Sequence, residues 1–293
     1  MTESDGLALI GELIALLDLE RLEDNLFRGV SPEASPVRVF GGQVAAQALV
    51  AAGRTVPADR HVHSLHAYFL RPGDPAVPIV YEVDRTRDGR SFTTRRVVAI
   101  QHGKPIFTMS SSFQVAEPGL EHADPMPAVA APESVPSLAD RLTRVDRDSG
   151  FWARVKLPFD IRYLVDPPWL LAAEGGTPAP QPDLHVPVWF RVLGSLPADP
   201  LLHVCVLAYL SDLTLLESVT STHGVSTTNG IAQMASLDHA MWLHRPIRLD
   251  DWVLYYTSSP SATGARGLST GQFFAADGTL LATVVQEGLI RLR

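Results

Sequence analysis

Cysteine, positive charge and long apolar runs are all scarce in this sequence of 293 residues. The single cysteine, Cys205, cannot form an internal disulfide, which favours a reducing compartment, and we interpret it as a small core residue. No apolar run approaches the ~20 residues that a membrane-spanning helix needs. The net charge of -8 argues against nucleic acid as the main partner, because phosphate binding requires a basic surface. A local basic patch for a small anionic ligand is still compatible with it.

Targeting signals are also missing from the two ends. The first residues, MTESD, are acidic and do not form the basic region of a signal peptide. The last three, RLR, are not the peroxisomal tripeptide. We therefore expect a cytoplasmic protein without membrane association.

The composition, with 46% hydrophobic and 19% charged residues, indicates an ordinary globular protein. Its length suits two domains. Residues 116–136 are rich in Pro, Ala and Glu, which predicts a linker. We predict an N-terminal domain over residues 1–115, a linker over 116–145 and a C-terminal domain over 146–293.

Two buried helices are predicted, one in each domain. Residues 40–53, FGGQVAAQALVAAG, are small and apolar on nearly all sides, and residues 198–212, ADPLLHVCVLAYLSD, are similar. The spacing of apolar residues over 7–22 predicts a further, amphipathic helix. β-rich segments separated by Pro-Gly, Asp-Gly and His-Gly turn signals follow each buried helix.

The two domains look like copies of one unit. HAYFL at His66–Leu70 matches HAMWL at His239–Leu243, and an Arg-Pro pair follows each of them. Gly103 and Gly278 each precede a similar strand, and nearly the same number of residues separates them as separates His66 from His239. This repeat predicts an α+β fold of two antiparallel sheets, each wrapped around one long helix that covers its apolar face.

Several phrases resemble the type II acyl-CoA thioesterases, in the right order over nearly the whole chain: FGGQVAAQAL, HSLHAYFLRPGD, RDGRSF, GKPIF, LDHAMWLHRP and VVQEGLIR. The resemblance implies a double hot-dog fold with the two sheets side by side, and hydrolysis of acyl-CoA to free fatty acid and CoA. It also implies a catalytic trio that holds the attacking water. Matched position by position, the trio falls on Asp212, Ser236 and Gln286, all in the C-terminal domain.

These three side chains suit the chemistry. Asp212 can accept a proton from water, while Ser236 and Gln286 can orient that water by donating and accepting hydrogen bonds. Backbone amides at the start of a buried helix could stabilise the oxyanion. The starts at Gly41-Gly42 and at Ala198 are both candidates, and the sequence does not choose between them. No metal and no cofactor is required.

The N-terminal copy lacks these groups. Under the repeat alignment, Gln286 corresponds to Ser111, and Asp212 corresponds roughly to Gly53. We therefore expect the N-terminal copy to act as a structural and binding partner of the C-terminal one.

Rival site interpretations are weaker. Asp238 and His239 suggest an acid/base pair, but neighbouring side chains of a strand point to opposite faces and cannot share one substrate atom. Ser269, in GLSTG, matches a nucleophile elbow, but strand and turn signals follow it where that motif requires a helix. Two alternative functions remain open, an enoyl-CoA hydratase of the hot-dog type and a non-catalytic acyl-CoA-binding module. Family resemblance suggests a homodimer or homotetramer.

Overall fold

The computed structural model describes residues 3–32, 38–143, 145, 156–227 and 230–292. Residues 3–115 are here called the N-terminal half and residues 156–292 the C-terminal half. The architecture is α+β, with helices packed against antiparallel strands.

The described residues of the N-terminal half form two helices and six strands. They are α1 (Glu3–Leu17), β1 (Glu20–Glu23), β2 (Leu26–Gly29), α2 (Gly41–Gly53), β3 (Arg60–Phe69), β4 (Ile79–Asp88), β5 (Phe92–Gln101) and β6 (Lys104–Val115). The helix predicted over residues 7–22 ends at Leu17, and β1 takes its last residues. The helix predicted over 40–53 is confirmed as α2.

A connecting segment and the C-terminal half follow. The connection contains α3 (Leu138–Leu142), and the C-terminal half contains β7 (Phe159–Tyr163), α4 (Pro168–Ala173), β8 (His185–Val192), α5 (Pro200–Thr214), α6 (Glu217–His223), β9 (Ile231–Ser236), β10 (Asp238–Leu243), β11 (Val253–Thr263), β12 (Arg266–Ala275) and β13 (Leu280–Leu292). The helix predicted over residues 198–212 is confirmed as α5. The sequence did not indicate α6.

All thirteen strands form one sheet, in the order β1-β2-β4-β5-β6-β3-β10-β13-β12-β11-β8-β7, with β9 also paired to β13. The two halves join where β3 pairs antiparallel with β10. On either side of this junction the strands follow one another in the same order, so β3 corresponds to β10, β6 to β13 and β5 to β12. The predicted side-by-side joining of the two sheets is confirmed.

Helices α2 and α5 lie together against one face of the sheet, here called the inner face. Their small residues allow close contact, since a Cβ atom added to Gly42 would lie 2.5 Å from the Tyr209 carbonyl oxygen. Alternation along the strands follows from this arrangement. In β8, for example, Val188 packs in the core beneath the helices, while Trp189 points to the opposite, outer face.

The segment predicted as a linker also packs against the C-terminal half. The connecting segment packs on the outer face of the C-terminal half, where Met126 and Val129 contact a cluster formed by Trp189, Trp252, Leu254, Phe274 and Leu280. The indole N–H of Trp189 donates to the carbonyl oxygen of Ala130. The segment therefore covers apolar surface as well as connecting the halves.

The expectation that no apolar run approaches the length of a membrane span is corrected. Pro200–His223, a stretch of 24 residues, is long and apolar enough by length and composition. It consists of α5 and α6 in succession, and 72% of its apolar window is buried inside the protein. The prediction ended this helix at Asp212, whereas the helix continues to Thr214 and α6 begins at Glu217.

The repeat is present, but the match of His66 with His239 is wrong by one residue. His66 is exposed, whereas His239 is buried. Leu65 is the buried equivalent of His239, and Tyr68 and Trp242 are equivalent exposed residues. A shift of one residue along a strand moves a side chain to the other face of the sheet. The two histidines therefore point to opposite faces although the sequences around them are similar.

Candidate active site

Asp212 lies in the last turn of α5, on the side that faces the sheet and the start of α2. Its Oδ1 atom accepts hydrogen bonds from the Ser236 hydroxyl at 3.0 Å and from the Gln286 amide nitrogen at 2.9 Å. The helix thus brings a carboxylate to two polar side chains of the sheet.

Ser236 and Gln286 come from neighbouring strands. Ser236 ends β9, and Gln286 lies in the middle of β13 with its side chain fully buried. The Gln286 amide nitrogen donates to the Ser236 hydroxyl oxygen at 2.9 Å. Asp212 Oδ1, Ser236 Oγ and Gln286 Nε2 therefore form a triangle with sides of 3.0, 2.9 and 2.9 Å. The structure brings together the three side chains that the sequence predicted.

The N-terminal half closes one side of this triangle. The backbone N–H of Gly42 donates to the Asp212 carboxylate. A Cβ atom added to Gly41 would lie 2.7 Å from Asp212 Oδ2 and 2.9 Å from the Phe69 ring, so only glycine fits there without displacement. The candidate site is therefore built by both halves, although its three side chains come from one.

Of the two helix starts considered as oxyanion donors, only α2 lies beside Asp212. The start of α5 lies at the opposite end of the helix pair, where Leu201 approaches Gly53. There Asp199 caps the helix by accepting a hydrogen bond from the Leu201 N–H at 2.9 Å. The Ala198 alternative is therefore wrong on position.

Burial dominates the electrostatics of the site. Burial raises the pKa of Asp212 above its ordinary value, and the neighbouring His239, Gln286, Ser236 and Gly42 N–H act in the opposite direction. Burial also lowers the pKa of His239, against the influence of the Asp212 carboxylate. A carboxylate with a raised pKa is a stronger proton acceptor than an exposed one.

His239 is the residue that the sequence reasoning set aside. Its Nδ1 atom is hydrogen-bonded to the Gln286 amide oxygen, and its Nε2 atom lies 2.8 Å from the hydroxyl of Ser211. Asp238 faces elsewhere and accepts a hydrogen bond from the Glu287 backbone N–H at 2.7 Å. The conclusion that Asp238 and His239 do not share one target therefore holds, but His239 by itself reaches the site.

Ser269 is not placed as a nucleophile elbow requires. It lies in the middle of β12, and its hydroxyl oxygen accepts a hydrogen bond from Ser218 at 2.9 Å. A nucleophile elbow needs a sharp turn from strand to helix.

Comparisons with known proteins show which family the chain belongs to. Residues 153–289 match the family model described as acyl-CoA thioesterase, and residues 30–114 match the one described as acyl-CoA thioesterase N-terminal domain. The chain is 41% identical to human acyl-coenzyme A thioesterase 8, over 95% of this chain and 88% of that one. It is also 41% identical to acyl-CoA thioesterase 2 of Haemophilus influenzae, over 97% and 98% of the two chains.

Solved structures show the same fold. The crystal structure of the acyl-CoA thioesterase II TesB2 from Mycobacterium marinum superposes with a TM-score of 0.78 at 45% identity, covering 95% of this chain and 98% of that one. A hot-dog protein from Alicyclobacillus acidocaldarius superposes with a TM-score of 0.74 at 17% identity, which supports the fold alone; 96% of this chain and 98% of that one are covered. The chain therefore belongs to the type II acyl-CoA thioesterase family and has its double hot-dog fold.

Proposed function

We propose that this protein hydrolyses acyl-CoA thioesters to free fatty acid and CoA, using a water molecule activated by Asp212 and oriented by Ser236 and Gln286. The observation that carries the proposal is the triangle of Asp212 Oδ1, Ser236 Oγ and Gln286 Nε2, with sides near 3 Å. A water resting on one face of a triangle of this size lies about 2.8 Å from all three atoms, which is an ordinary hydrogen-bond distance. There it can donate to Asp212 and accept from Gln286 in place of one of the two present partners of the amide.

The reaction needs no covalent enzyme intermediate. The water oxygen attacks the thioester carbonyl carbon while Asp212 accepts a water proton. The tetrahedral intermediate then expels the CoA thiolate as the C–S bond breaks, and the proton held by Asp212 can return to the sulfur. Holding the water at attack distance removes much of the entropy cost that bulk water incurs.

Amides at the start of α2, other than the Gly42 N–H that donates to Asp212, are the oxyanion donors in this proposal. They lie next to Asp212, as the contacts of Gly41 and Gly42 show, and the partial positive charge of a helix start favours a developing negative charge. The N-terminal half then has a direct part in the reaction even though it contributes no acid or base.

The test is release of free thiol from saturated acyl-CoA by the purified full-length protein, followed over a panel of chain lengths and over pH. Activity should fall at low pH, where Asp212 is protonated, and the raised pKa of Asp212 should place this fall above the range of an exposed carboxylate. Loss of enoyl-CoA absorbance without thiol release would support a hydratase instead. Ligand-dependent stabilisation without turnover would support a binding module and overturn the proposal.

Geometry argues against the hydratase alternative. That chemistry needs an Asp and a His that converge on one substrate atom, but the amide of Gln286 lies between Asp212 and His239 and bonds to both. Asp238 is occupied by a backbone N–H.

We propose further that the protein is cytoplasmic and forms a homodimer or homotetramer. The single buried Cys205 suits a reducing compartment. Tyr68, Leu70 and Trp242 expose large side chains at or next to the β3–β10 junction, which gives apolar surface for a second copy. Sedimentation velocity of the pure protein and imaging of a fluorescent fusion test the two statements; a monomer or a membrane-bound pool would contradict them.

A further inference from the structure

We infer that His239 is a positioning residue for hydrolysis: by donating its Nδ1 proton to the Gln286 amide oxygen, it keeps the amide nitrogen turned toward Asp212 and Ser236. This inference rests on the proposed function, because it gives Gln286 a partner for its role in holding the water. Among the described residues His239 forms no hydrogen bond with Asp212 or Ser236, and it reaches the water-holding side chains through Gln286.

The polarity of the Gln286 amide is set by its neighbours. One end of the amide meets Asp212 Oδ1, which is an acceptor only, so this end must be the NH2 group. The same NH2 group donates to Ser236 Oγ. The other end is then the carbonyl oxygen, and it meets the Nδ1 atom of His239. Rotation of the amide by half a turn would place its oxygen against the Asp212 carboxylate and its NH2 group against the Nδ1 proton of His239, so both neighbours oppose this rotation.

The required tautomer of His239 follows directly. A carbonyl oxygen only accepts, so Nδ1 must carry the proton. Burial lowers the pKa of His239, which keeps the ring neutral and leaves Nε2 as an acceptor. The hydroxyl of Ser211 lies 2.8 Å from this Nε2 atom and 2.9 Å from the Ala208 carbonyl oxygen, so its single proton has two acceptors within reach. The Gln286 amide oxygen thus fixes the tautomer of His239, and the Nδ1 proton of His239 in turn opposes rotation of the Gln286 amide.

The repeat provides independent support, because the imidazole and the amide are absent together from the N-terminal half. In that half Leu65 pairs with Ser111 across β3 and β6. His239 and Gln286 occupy the corresponding positions of β10 and β13, one residue beyond the pair formed by Ala240 and Val285. Leu65 is fully buried, as His239 nearly is. The fold therefore accepts an apolar side chain at this position. Packing alone does not require a histidine here, and the histidine occurs in the half that also has the glutamine.

The first experiment compares His239→Leu, which places the residue of the N-terminal half at this position, with His239→Asn, whose amide nitrogen can donate from nearly the place of Nδ1. His239→Leu should lower kcat by about ten- to a hundredfold with little change in KM, on the scale set by a buried acceptor left without its donor. His239→Asn should recover most of this loss. Equal losses in the two variants, or a wild-type kcat in His239→Leu, would overturn the inference.

The second experiment is a double-mutant cycle with Gln286→Ala. If His239 acts through Gln286, adding His239→Leu to Gln286→Ala should lower kcat no further. An additional loss of the same size as in the single variant would assign His239 a separate structural role and refute the inference. A wild-type kcat in Gln286→Ala alone would instead refute the proposed trio, so the two failures can be told apart.

Nitrogen NMR of histidine-labelled wild-type protein gives a spectroscopic check that does not depend on activity. His239 should show a protonated Nδ1 and an unprotonated Nε2 near neutral pH, since only a protonated Nδ1 can donate to Gln286 and burial lowers the pKa of the ring. The opposite tautomer would leave Nδ1 without a proton to donate and would exclude the proposed role.

Discussion

Gln286 and Ser111 lie at equivalent places in the two halves of the sheet, but their surroundings differ. The amide of Gln286 is hydrogen-bonded at both ends, to Asp212, Ser236 and His239. The hydroxyl of Ser111 is buried, and it has no hydrogen-bond partner in the part of the chain that the structure describes.

The residues around Gln286 are polar, whereas the equivalent residues of the N-terminal half are apolar or small. Val62 pairs with Phe113 in the N-terminal half, where Ser236 pairs with Gly288 in the C-terminal half. The residues of the N-terminal half that correspond to the polar group around Gln286 are Ala52, Gly53, Val62 and Leu65, in the places of Ser211, Asp212, Ser236 and His239. A buried polar group is costly without partners, so such a network is kept complete or is lost as a whole.

The helix pair shows the same asymmetry. Gly41 of α2 leaves space for the Asp212 carboxylate, whereas Gly53 at the other end of α2 is covered by the side chain of Leu201. One end of the pair therefore receives a polar group and the other an apolar one. The same backbone framework supports one site for chemistry and one site for packing.

The largest effect is expected from Asp212→Asn, which removes the proton acceptor and keeps the size of the side chain. General-base assistance contributes about 10²–10⁴-fold, so kcat for thiol release should fall by that factor. Circular dichroism and thermal melting should show an intact fold. Turnover at the wild-type rate would show that the difference between the halves at this position has no catalytic meaning.

Gln286→Ser gives the C-terminal half the residue of the N-terminal half at this position. We expect kcat to fall by about 10²–10³-fold, on the scale of one lost donor at a reacting centre. Steady-state kinetics with a saturated acyl-CoA measures this fall in kcat.

Ser236→Thr keeps the hydroxyl and should retain activity, whereas Ser236→Ala removes the hydroxyl and should not. Equal rates in the two variants would contradict the role of the hydroxyl.

Gly41→Ala probes the contact between the halves. The added methyl group would lie 2.7 Å from Asp212 Oδ2, so the carboxylate must move. A displacement of about 1 Å at a reacting group can lower the rate by about 10²-fold, and we expect a loss of kcat on that scale. Gly53→Ala is the control: its methyl group would meet the tip of the flexible Leu201 side chain at 2.4 Å, so it should affect the melting temperature and leave kcat unchanged. The reverse pattern would reject this assignment.

A buried carboxylic acid outside the site distinguishes the C-terminal half in another way. Glu217, at the start of α6, accepts hydrogen bonds from Tyr163 and Trp169, both at 2.8 Å. Burial raises the pKa of Glu217 to about 8, although both hydrogen bonds act to lower it. The folded protein therefore keeps a proton that the unfolded chain releases at an ordinary carboxyl pKa of about 4.3.

The sign of the pH effect follows from this difference. Between about pH 4.3 and about pH 8 the native state binds more protons at Glu217 than the unfolded state, so its contribution to stability falls as pH rises through this window. Glu217→Gln removes the titration and keeps two polar atoms. Between about pH 4 and pH 8 the free energy of unfolding of the wild type should decline, relative to the variant, by on the order of 5 kcal/mol. If the free energy of unfolding depends on pH in the same way in both proteins, the acid is not buried as described. The kcat values of the two proteins should be equal.

Much of the difference between the two halves could be predicted from the sequence, through the repeat and the phrases shared with the family. The positions of α2 and α5, though not the end of α5, came from their apolar composition, and the trio came from motif matching. The role of His239 did not, because strand periodicity tells which neighbours share a face but not which strand lies alongside. The pairing of β10 with β13, which brings His239 to Gln286, is a long-range contact. β1 was missed for a related reason: its residues continue a helical spacing, and only pairing with β2 makes them a strand.

The smallest effect should come from Ser111→Ala, which tests whether the N-terminal half is inactive at its own equivalent position. The variant removes a buried hydroxyl that has no partner among the described residues, so the free energy of unfolding should stay the same or rise slightly. Thiol release should be unchanged within a factor of about two, because no group of the trio contacts this strand position. A strong loss of kcat with an unchanged melting temperature would mean that Ser111 contacts the substrate or the site, and the two halves would then have to be treated as two parts of one catalytic apparatus.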